Sequence, residues 1–446
     1  VFPLSENEIV TTLLESARSK QFTVRISSRR RVSDRRVKKL TTVPDQVVSG
    51  SCFLAIDDRN KLEKRVAALR EAHRRGASLI ISPDASVLDA SFRGPTRVLI
   101  QRGESSHMWT SHPIRHAAAA IAAELREQFT GPVILITGVA GKTTTKDLTV
   151  AALSGSTRVL SSLKTHNSNR AILRRLLKLG PRYGVGVFEV GARRKHDVRR
   201  IAEIARPTIS YTTSIGPSHL ESFGDIQAVL RAETEQYESL IASNSPVQVL
   251  ANIDDPLLRE YCLRRKASLP RGSEMYTVAV DGPADIRARK VRFLLERDVM
   301  RTHFVAQTPW GNQEISIPLV GIHNVRNALA AIALGMMTGL PDLEGIACQL
   351  DGPRIAANRS RFFQSRYGFF VLDDSYNSNP LSMKAALDTL AAIRQTTSQF
   401  KKIIAVVSDM NELADQSGRY HFQAGLQARK VGVSELIVGG KFGNKW

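Results

Sequence analysis

The stretch ILITGVAGKTTTKDL, Ile134 to Leu148, constrains the fold more than any other part of the chain. PVILIT (Pro132 to Thr137) is short, rich in β-branched residues and apolar on both faces, the pattern of a central parallel strand covered on each side. Its C-terminal end runs into Gly138, Val139, Ala140 and Gly141, where two glycines let the backbone turn tightly and gather several N–H groups. Lys142 follows at the positive end of a helix, and Thr143 and Thr144 place hydroxyls in its first turn. Converging N–H groups, a cation and hydroxyls make a phosphate site, with a hydroxyl able to hold Mg²⁺ against terminal phosphates. Only two residues separate the glycines, so the loop is shorter than the common G-x-x-x-x-G-K-[ST] pattern.

With 446 residues, 42% hydrophobic and 24% charged, the chain can bury several cores, and two or three domains are expected. The net charge of +21 raises the question of nucleic acid, with SSRRRVSDRRVKK (27–39) and ARRKHDVRR (192–200) as the basic runs. Their arginines are scattered, few aromatics lie among them and no nucleic-acid motif accompanies them. Solvated helix faces or an anionic substrate account for them, and nucleic acid is set aside as a partner. Cys52, Cys262 and Cys348 lie far apart without a C-x-x-C pair, which suggests neither a disulfide framework nor a zinc site and fits a reducing cytoplasm. No apolar stretch approaches a membrane span, and VFPLSENEIV lacks the apolar core of a signal peptide. Because ELIVGGKFGNKW ends on a strand and turn, a C-terminal piece is expected to be missing.

The organisation reads as α/β in three blocks, without repeats. Residues 1–118 hold short strands (CFLAI, SLIIS, RVLIQ) and one charged helix. Residues 119–340 open with the helix PIRHAAAAIAAELREQF and the phosphate strand, then alternate strands (GVGVFEVGA, TISYTTSIG, PVQVLANID) with helices, as a mostly parallel sheet does. Residues 341–446 repeat the alternation with FFVLDDS, PLSMKAALDTLAAIR, KKIIAVVS and SELIVGG, a Rossmann-like unit that the end of the chain leaves incomplete. In the central block FEVGARR puts Glu189 at a strand end, and SIGPSHLESFGD puts His219 in the next loop. A carboxylate, an imidazole and a loop hydroxyl in one crevice suit phosphate-bound Mg²⁺. Each residue alone has an ordinary alternative, a surface histidine or a strand-end acid.

Together TGVAGKTTTK, FEVGARR, TSIGPSHLESFG, NIDDP, GIHNVRNALAAIALG, DDSYNSNP and SDMNELADQSGRYH resemble the Mur ligases of cell-wall synthesis, from about residue 40 onward. The last two segments are similar to those of the member that adds D-alanyl-D-alanine to a UDP-N-acetylmuramoyl tripeptide. The resemblance implies a three-domain, monomeric, cytoplasmic enzyme that uses ATP and Mg²⁺ to join an amine to a UDP-linked carboxylate through an acyl phosphate. It implies that Gly138 to Thr144 wrap the phosphates of ATP, with Lys142 on the γ-phosphate. Thr143 and Glu189 would hold one Mg²⁺ and His219 a second. Asn324 would read the adenine, and Arg361 and Asp374 would reach phosphate and ribose. On the substrate side it points to Asn167, Ser375, Tyr376, Asn377 and Asn379. Asn324 also reads as a helix cap, and SYNSNP as a turn before a helix.

Three departures accompany the resemblance. Glu233 stands where the family has a lysine that is carbamylated to bind Mg²⁺, and it reads either as a permanent carboxylate in its place or as a solvated helix residue. CFLAIDDRNKLEKRVAAL matches the UDP-binding segment only at its start, without the D-G-H element, and THNSNRAILRR lacks the N-N-x-I-G-x-P continuation. Ser360 replaces the glycine before Arg361. Two further readings therefore stay open: a Mur-like ligase with a different carboxylate substrate, and a nucleotide-binding paralogue that does not ligate.

Overall fold

The computed structural model describes residues 3–17, 22–27, 32, 34–42, 44–55, 62–83, 95–102, 113–163, 165–243, 245–396, 400 and 402–446. The chain folds as two compact units, one of residues 1–131, 170–183 and 203–205, the other of residues 132–169, 184–202 and 206–446.

The first unit contains α1 (Glu6–Ala17), β1 (Phe22–Ser27), β2 (Leu40–Thr41), β3 (Cys52–Leu54), α2 (Leu62–Arg74), β4 (Leu79–Ser82), β5 (Thr96–Arg102) and α3 (Pro113–Glu127). Its sheet runs β1-β5-β4-β3-β2, parallel except for β1. Ser5 opens α1 as a capping box: its hydroxyl accepts the Glu8 N–H at 3.1 Å while the Glu8 carboxylate accepts the Ser5 N–H. Phe53, Leu69, Ala72, Ile80 and Leu99 form the core between α2 and the sheet. The altered UDP segment falls partly on residues 56–61, and the first basic run on 28–31 and 33, outside the described residues.

The second unit is built on β6 (Val133–Thr137), α4 (Lys142–Ser154), β7 (Val159–Ser161), the start of α5 (Asn169–Leu176), β8 (Val185–Glu189), α6 (Asp197–Ala205) up to residue 202, β9 (Ile209–Thr212), α7 (Leu220–Phe223), α8 (Ile226–Glu233), α9 (Glu235–Ile241), β10 (Gln248–Asn252) and α10 (Pro256–Arg265). It continues through β11 (Glu274–Ala279), β12 (Ile286–Glu296), β13 (Val299–Thr308), β14 (Gly311–Ile317), α11 (Ile322–Met337) and α12 (Leu343–Leu350). The sheet order is β14-β13-β12-β11-β10-β9-β6-β8-β7. Strands from β7 to β12 pair in parallel, and β12, β13 and β14 form an antiparallel meander that the alternation of strands and helices did not announce. Every residue of β6 is buried, as a strand covered on both faces requires. Its neighbours are β8 and β9, so the chain leaves β6 in two directions and opens a crevice at the carboxyl ends of these strands. Helix α11 is apolar nearly all round and buries Val325, Leu329, Ile332 and Leu334 in the same core as Ile134, Ile136 and Leu148. Ile346 and Leu350 of α12 join that core, so its packing extends past residue 340.

Beyond it lie β15 (Arg361–Gln364), β16 (Phe370–Asp373), α13 (Pro380–Thr396), β17 (Ile404–Val407), α14 (Ser417–Lys430) and β18 (Glu435–Val438). β15 and β16 make an antiparallel pair, and β17 and β18 a parallel one. The basic run 192–200 is an ordinary helix start. Asp197 accepts the N–H groups of Arg193 at 3.2 Å and Arg194 at 2.9 Å, and Arg200 lies 3.5 Å from the same carboxylate.

Candidate active site

Between β6 and α4, the loop after β9 holds one side of the glycine turn. Val139 N–H donates to the Ser214 carbonyl at 2.8 Å, and Ala140 N–H to the Ser214 hydroxyl at 3.1 Å. Gly138 and Gly141 have φ of 110° and 88°. A Cβ on Gly138 would stand 2.3 Å from Thr213 Oγ1, and one on Gly141 2.7 Å from Asn327 Oδ1, so conformation and space both demand glycine. The fold leaves the first turn of α4 over, because the N–H groups of Lys142, Thr143 and Thr144 have no carbonyl four residues earlier within the helix. Lys142 Nζ folds back onto the carbonyls of Gly138 and Val139.

Glu189 ends β8 and is buried. Its Oε1 accepts the Thr143 hydroxyl and Asn167 Nδ2, each at 3.0 Å. Its Oε2 is buried without a hydrogen-bond partner. A buried carboxyl oxygen left without a hydrogen bond, beside a hydroxyl, suits a hard cation. The expected pair Thr143 and Glu189 is thus brought together, with Asn167 on the same carboxylate. Among the described residues no three His, Cys, Asp or Glu side chains are gathered into a ready metal cage.

Glu233 is 3% exposed, so it is no solvated helix residue. Its Oε2 accepts the Gly138 N–H at 2.7 Å, the Ala192 N–H also bonds to it, and its carbonyl accepts the Thr137 hydroxyl at 2.7 Å. Burial raises its carboxyl above the usual range, opposed by the Lys142 charge and these two N–H groups. Buried Gln236, which the sequence reading missed, donates to Thr137 Oγ1 at 2.9 Å and Thr212 Oγ1 at 3.0 Å. Asn327 was also missed. Besides walling Gly141, it accepts the Thr145 hydroxyl at 3.2 Å.

His219 precedes α7 in the left-handed region, φ 51°. Its Nδ1 lies 2.5 Å from Glu412 Oε2, so its bond goes to the SDMNEL segment rather than to Glu189. Desolvation lowers its pKa, the Glu412 carboxylate opposes that, and Lys142 and Arg193 add to it.

Most of the remaining expected residues bond to neighbours within the chain. Asn324 is buried, and its Nδ2 donates to the Val320 carbonyl at 2.9 Å while its Oδ1 accepts Asn327 Nδ2 at 3.2 Å. Arg361 is exposed, with its guanidinium 5.2 Å from the Phe363 ring. Asp374 accepts the Ser360 N–H at 3.0 Å, and burial raises its carboxyl. Ser360 keeps the left-handed backbone, φ 47°, that suits the glycine it replaces. Ser375 donates to Asp373 at 2.7 Å and accepts Asn358 Nδ2 at 3.0 Å. The Tyr376 hydroxyl bonds to Thr165, with Arg359 over its ring at 4.3 Å. Asn377 is exposed. Asn379 and Ser382 cap α13 reciprocally at 2.9 and 3.0 Å, with Pro380 next in line.

Residues 136–335 match the Mur ligase middle domain, and residues 358–442 the Mur ligase glutamate ligase domain. The UDP-N-acetylmuramoyl-tripeptide--D-alanyl-D-alanine ligase of Escherichia coli K12 is 30% identical over 329 residues, 73% of this chain and 68% of the relative. The chain belongs to the Mur ligase family. Members of the Mur ligase family are ATP-dependent ligases. The ligase of the same description from Mycobacterium leprae is 30% identical over 378 residues, 81% of this chain and 71% of the relative. In fold, the chain is similar to MurF from Acinetobacter baumannii, with a TM-score of 0.78, 24% identity and coverage of 99% of this chain and 87% of that one. It is also similar to MurF ligase from Thermotoga maritima, solved with ADP, with a TM-score of 0.68, 18% identity and coverage of 91% and 88%. Among the described residues no helix is long and apolar enough to cross a membrane.

Proposed function

We propose that the chain joins D-alanyl-D-alanine to a UDP-N-acetylmuramoyl tripeptide, using ATP and Mg²⁺. The observation that carries this reading is the Thr143–Glu189 pair at the foot of the glycine turn, with Glu189 Oε2 buried and unspent. The two relatives of 30% identity share that activity in their descriptions.

The tripeptide carboxylate oxygen attacks the γ-phosphorus of ATP, ADP leaves, and an acyl phosphate forms. The amine then attacks the acyl carbon, and phosphate departs with the carboxylate oxygen and the proton that the nitrogen gives up, leaving the amide. Thr143 and Glu189 would hold one Mg²⁺ and His219 a second, and the ions would neutralise charge where two anions must meet. Lys142 exchanges its loop carbonyls for the γ-phosphate, and the first-turn N–H groups of α4 take the neighbouring oxygens. Glu233 holds Gly138 in place from beneath, so the loop is set before ATP arrives. Asn324, Arg361 and Asp374 are assigned to the nucleotide, and Asn167, Ser375, Tyr376, Asn377 and Asn379 to the substrate side. Residues 1–118, 119–340 and 341–446 would serve the UDP-substrate, ATP and amine. Incubation with D-alanyl-D-alanine, ATP, Mg²⁺ and UDP-muramoyl tripeptides differing in the third residue, followed by mass spectrometry, tests the proposal. One ADP per UDP-pentapeptide is expected. ADP release with another carboxylate, and none with any tripeptide, would overturn it.

A further inference from the structure

The segment Met410–Leu413, between β17 and α14, meets the phosphate-loop side of the central sheet. Met410 and Leu413 are fully buried in one apolar cluster with Val139 of the loop and Leu220 of α7. Between them Glu412 has φ 63°. Its carbonyl accepts the Leu220 N–H at 2.8 Å, and its carboxylate takes His219 Nδ1 at 2.5 Å. His219 and Glu412 both hold left-handed backbones that a residue with a Cβ disfavours, and Glu412 is tied to His219 through its carboxylate and to the next residue, Leu220, through its carbonyl. The contact, rather than local preference, maintains the arrangement.

In this contact the Glu412 oxygen is the acceptor, so Nδ1 carries the hydrogen of the bond and Nε2, on the far side of the ring, is the nitrogen left over. We propose that Glu412 is a positioning residue that fixes His219 as the Nδ1–H tautomer and frees Nε2 as a base or ligand only while Met410–Leu413 is docked. Docking of this segment and preparation of the imidazole are then one event, like the outer carboxylate that orients a ligating histidine. The catalytic meaning rests on the assignment of His219 to the phosphate site, whereas the geometry does not.

The test therefore starts from the whole chain without nucleotide. Histidine ring nitrogens are labelled with ¹⁵N, and the His219 signals are assigned by their loss in His219→Gln. Wild type and Glu412→Gln, whose amide oxygen still accepts, should both show Nδ1–H. Glu412→Ala should shift the ring toward Nε2–H and speed amide exchange at Leu220 about tenfold, as loss of a charged partner implies. The Glu412 side chain is half exposed, so the alanine variant has little packing to lose. Turnover should then fall in Glu412→Ala with the KM for ATP held, and recover in Glu412→Gln. Nε2–H in the wild type, or an unchanged tautomer in Glu412→Ala, would overturn the proposal. A wild type without ligase turnover would overturn the proposed function and leave the tautomer result standing.

Discussion

The phosphate turn and the segment Asp373–Pro380 are both dense in polar residues, and the fold uses them in opposite ways. Around the turn, the structural needs are met by groups brought from a distance: Ser214, Glu233 and Asn327 hold the backbone. That leaves the opening N–H groups of α4 and Glu189 Oε2 for something else, with the Lys142 ammonium held only by carbonyls of the loop itself. In 373–380 most of the polar atoms are spent locally. Ser375 bonds to Asp373, Asp374 to Ser360, and Asn379 to Ser382. A polar group left over after the fold is satisfied points to a ligand, while one used by its neighbours supports stability first.

Substitutions should separate the two regions. The largest effect is expected for Lys142→Ala, with ligase turnover down about 10²- to 10³-fold, as for loss of one charge-stabilising donor, and a melting curve nearly unchanged. Equal losses in turnover and stability would erase the contrast. The second concerns His323, half-buried with its ring 3.4 Å from the Ser360 hydroxyl, whose pKa desolvation pushes down from 6.5 to about 4. The unfolded chain takes up this proton as pH falls below 6.5 and the folded chain does not, so stability present above 6.5 is lost as pH falls toward 4, by about 3 kcal/mol. Denaturant titrations should show that slope in wild type and not in His323→Gln, and matching slopes would reject it.

Third, Glu233→Ala leaves the Gly138 and Ala192 N–H groups unpaired and should cost about 2 kcal/mol of stability. Activity should fall with or without bicarbonate, while Glu233→Lys recovers some activity only with it. Full activity of the alanine variant in both buffers would remove Glu233 from the site. The smallest effect is expected for Asn379→Ala, about 1 kcal/mol from the lost cap. Its turnover per folded molecule should change less than that of Lys142→Ala, and a larger drop would move Asn379 from structure to substrate.

What the sequence disclosed follows the same division. The strand, turn and helix of residues 132–154 and the cap at Asn379 are signalled by neighbours, through β-branched runs, paired glycines and an N-P-x-S spacing. The bond of His219 to Glu412 joins residues far apart in sequence, and no local pattern announces it. The meander was hidden for a related reason. β12 turns into β13 at Arg297 and Asp298, both left-handed, φ 48° and 65°, where the usual Asn-Gly or Asp-Gly pair is absent. Glu233 was legible as a departure from the family, but its burial against Gly138 needed the packing of α8 to be seen.

The central claim is that these leftover groups serve transfer of the γ-phosphoryl group to a carboxylate. Labelling both oxygens of the tripeptide's reacting carboxylate with ¹⁸O tests it most directly. The account predicts one ¹⁸O in each inorganic phosphate released, equal in amount to ADP and to the amide formed. Phosphate without label, or AMP in place of ADP, would contradict it.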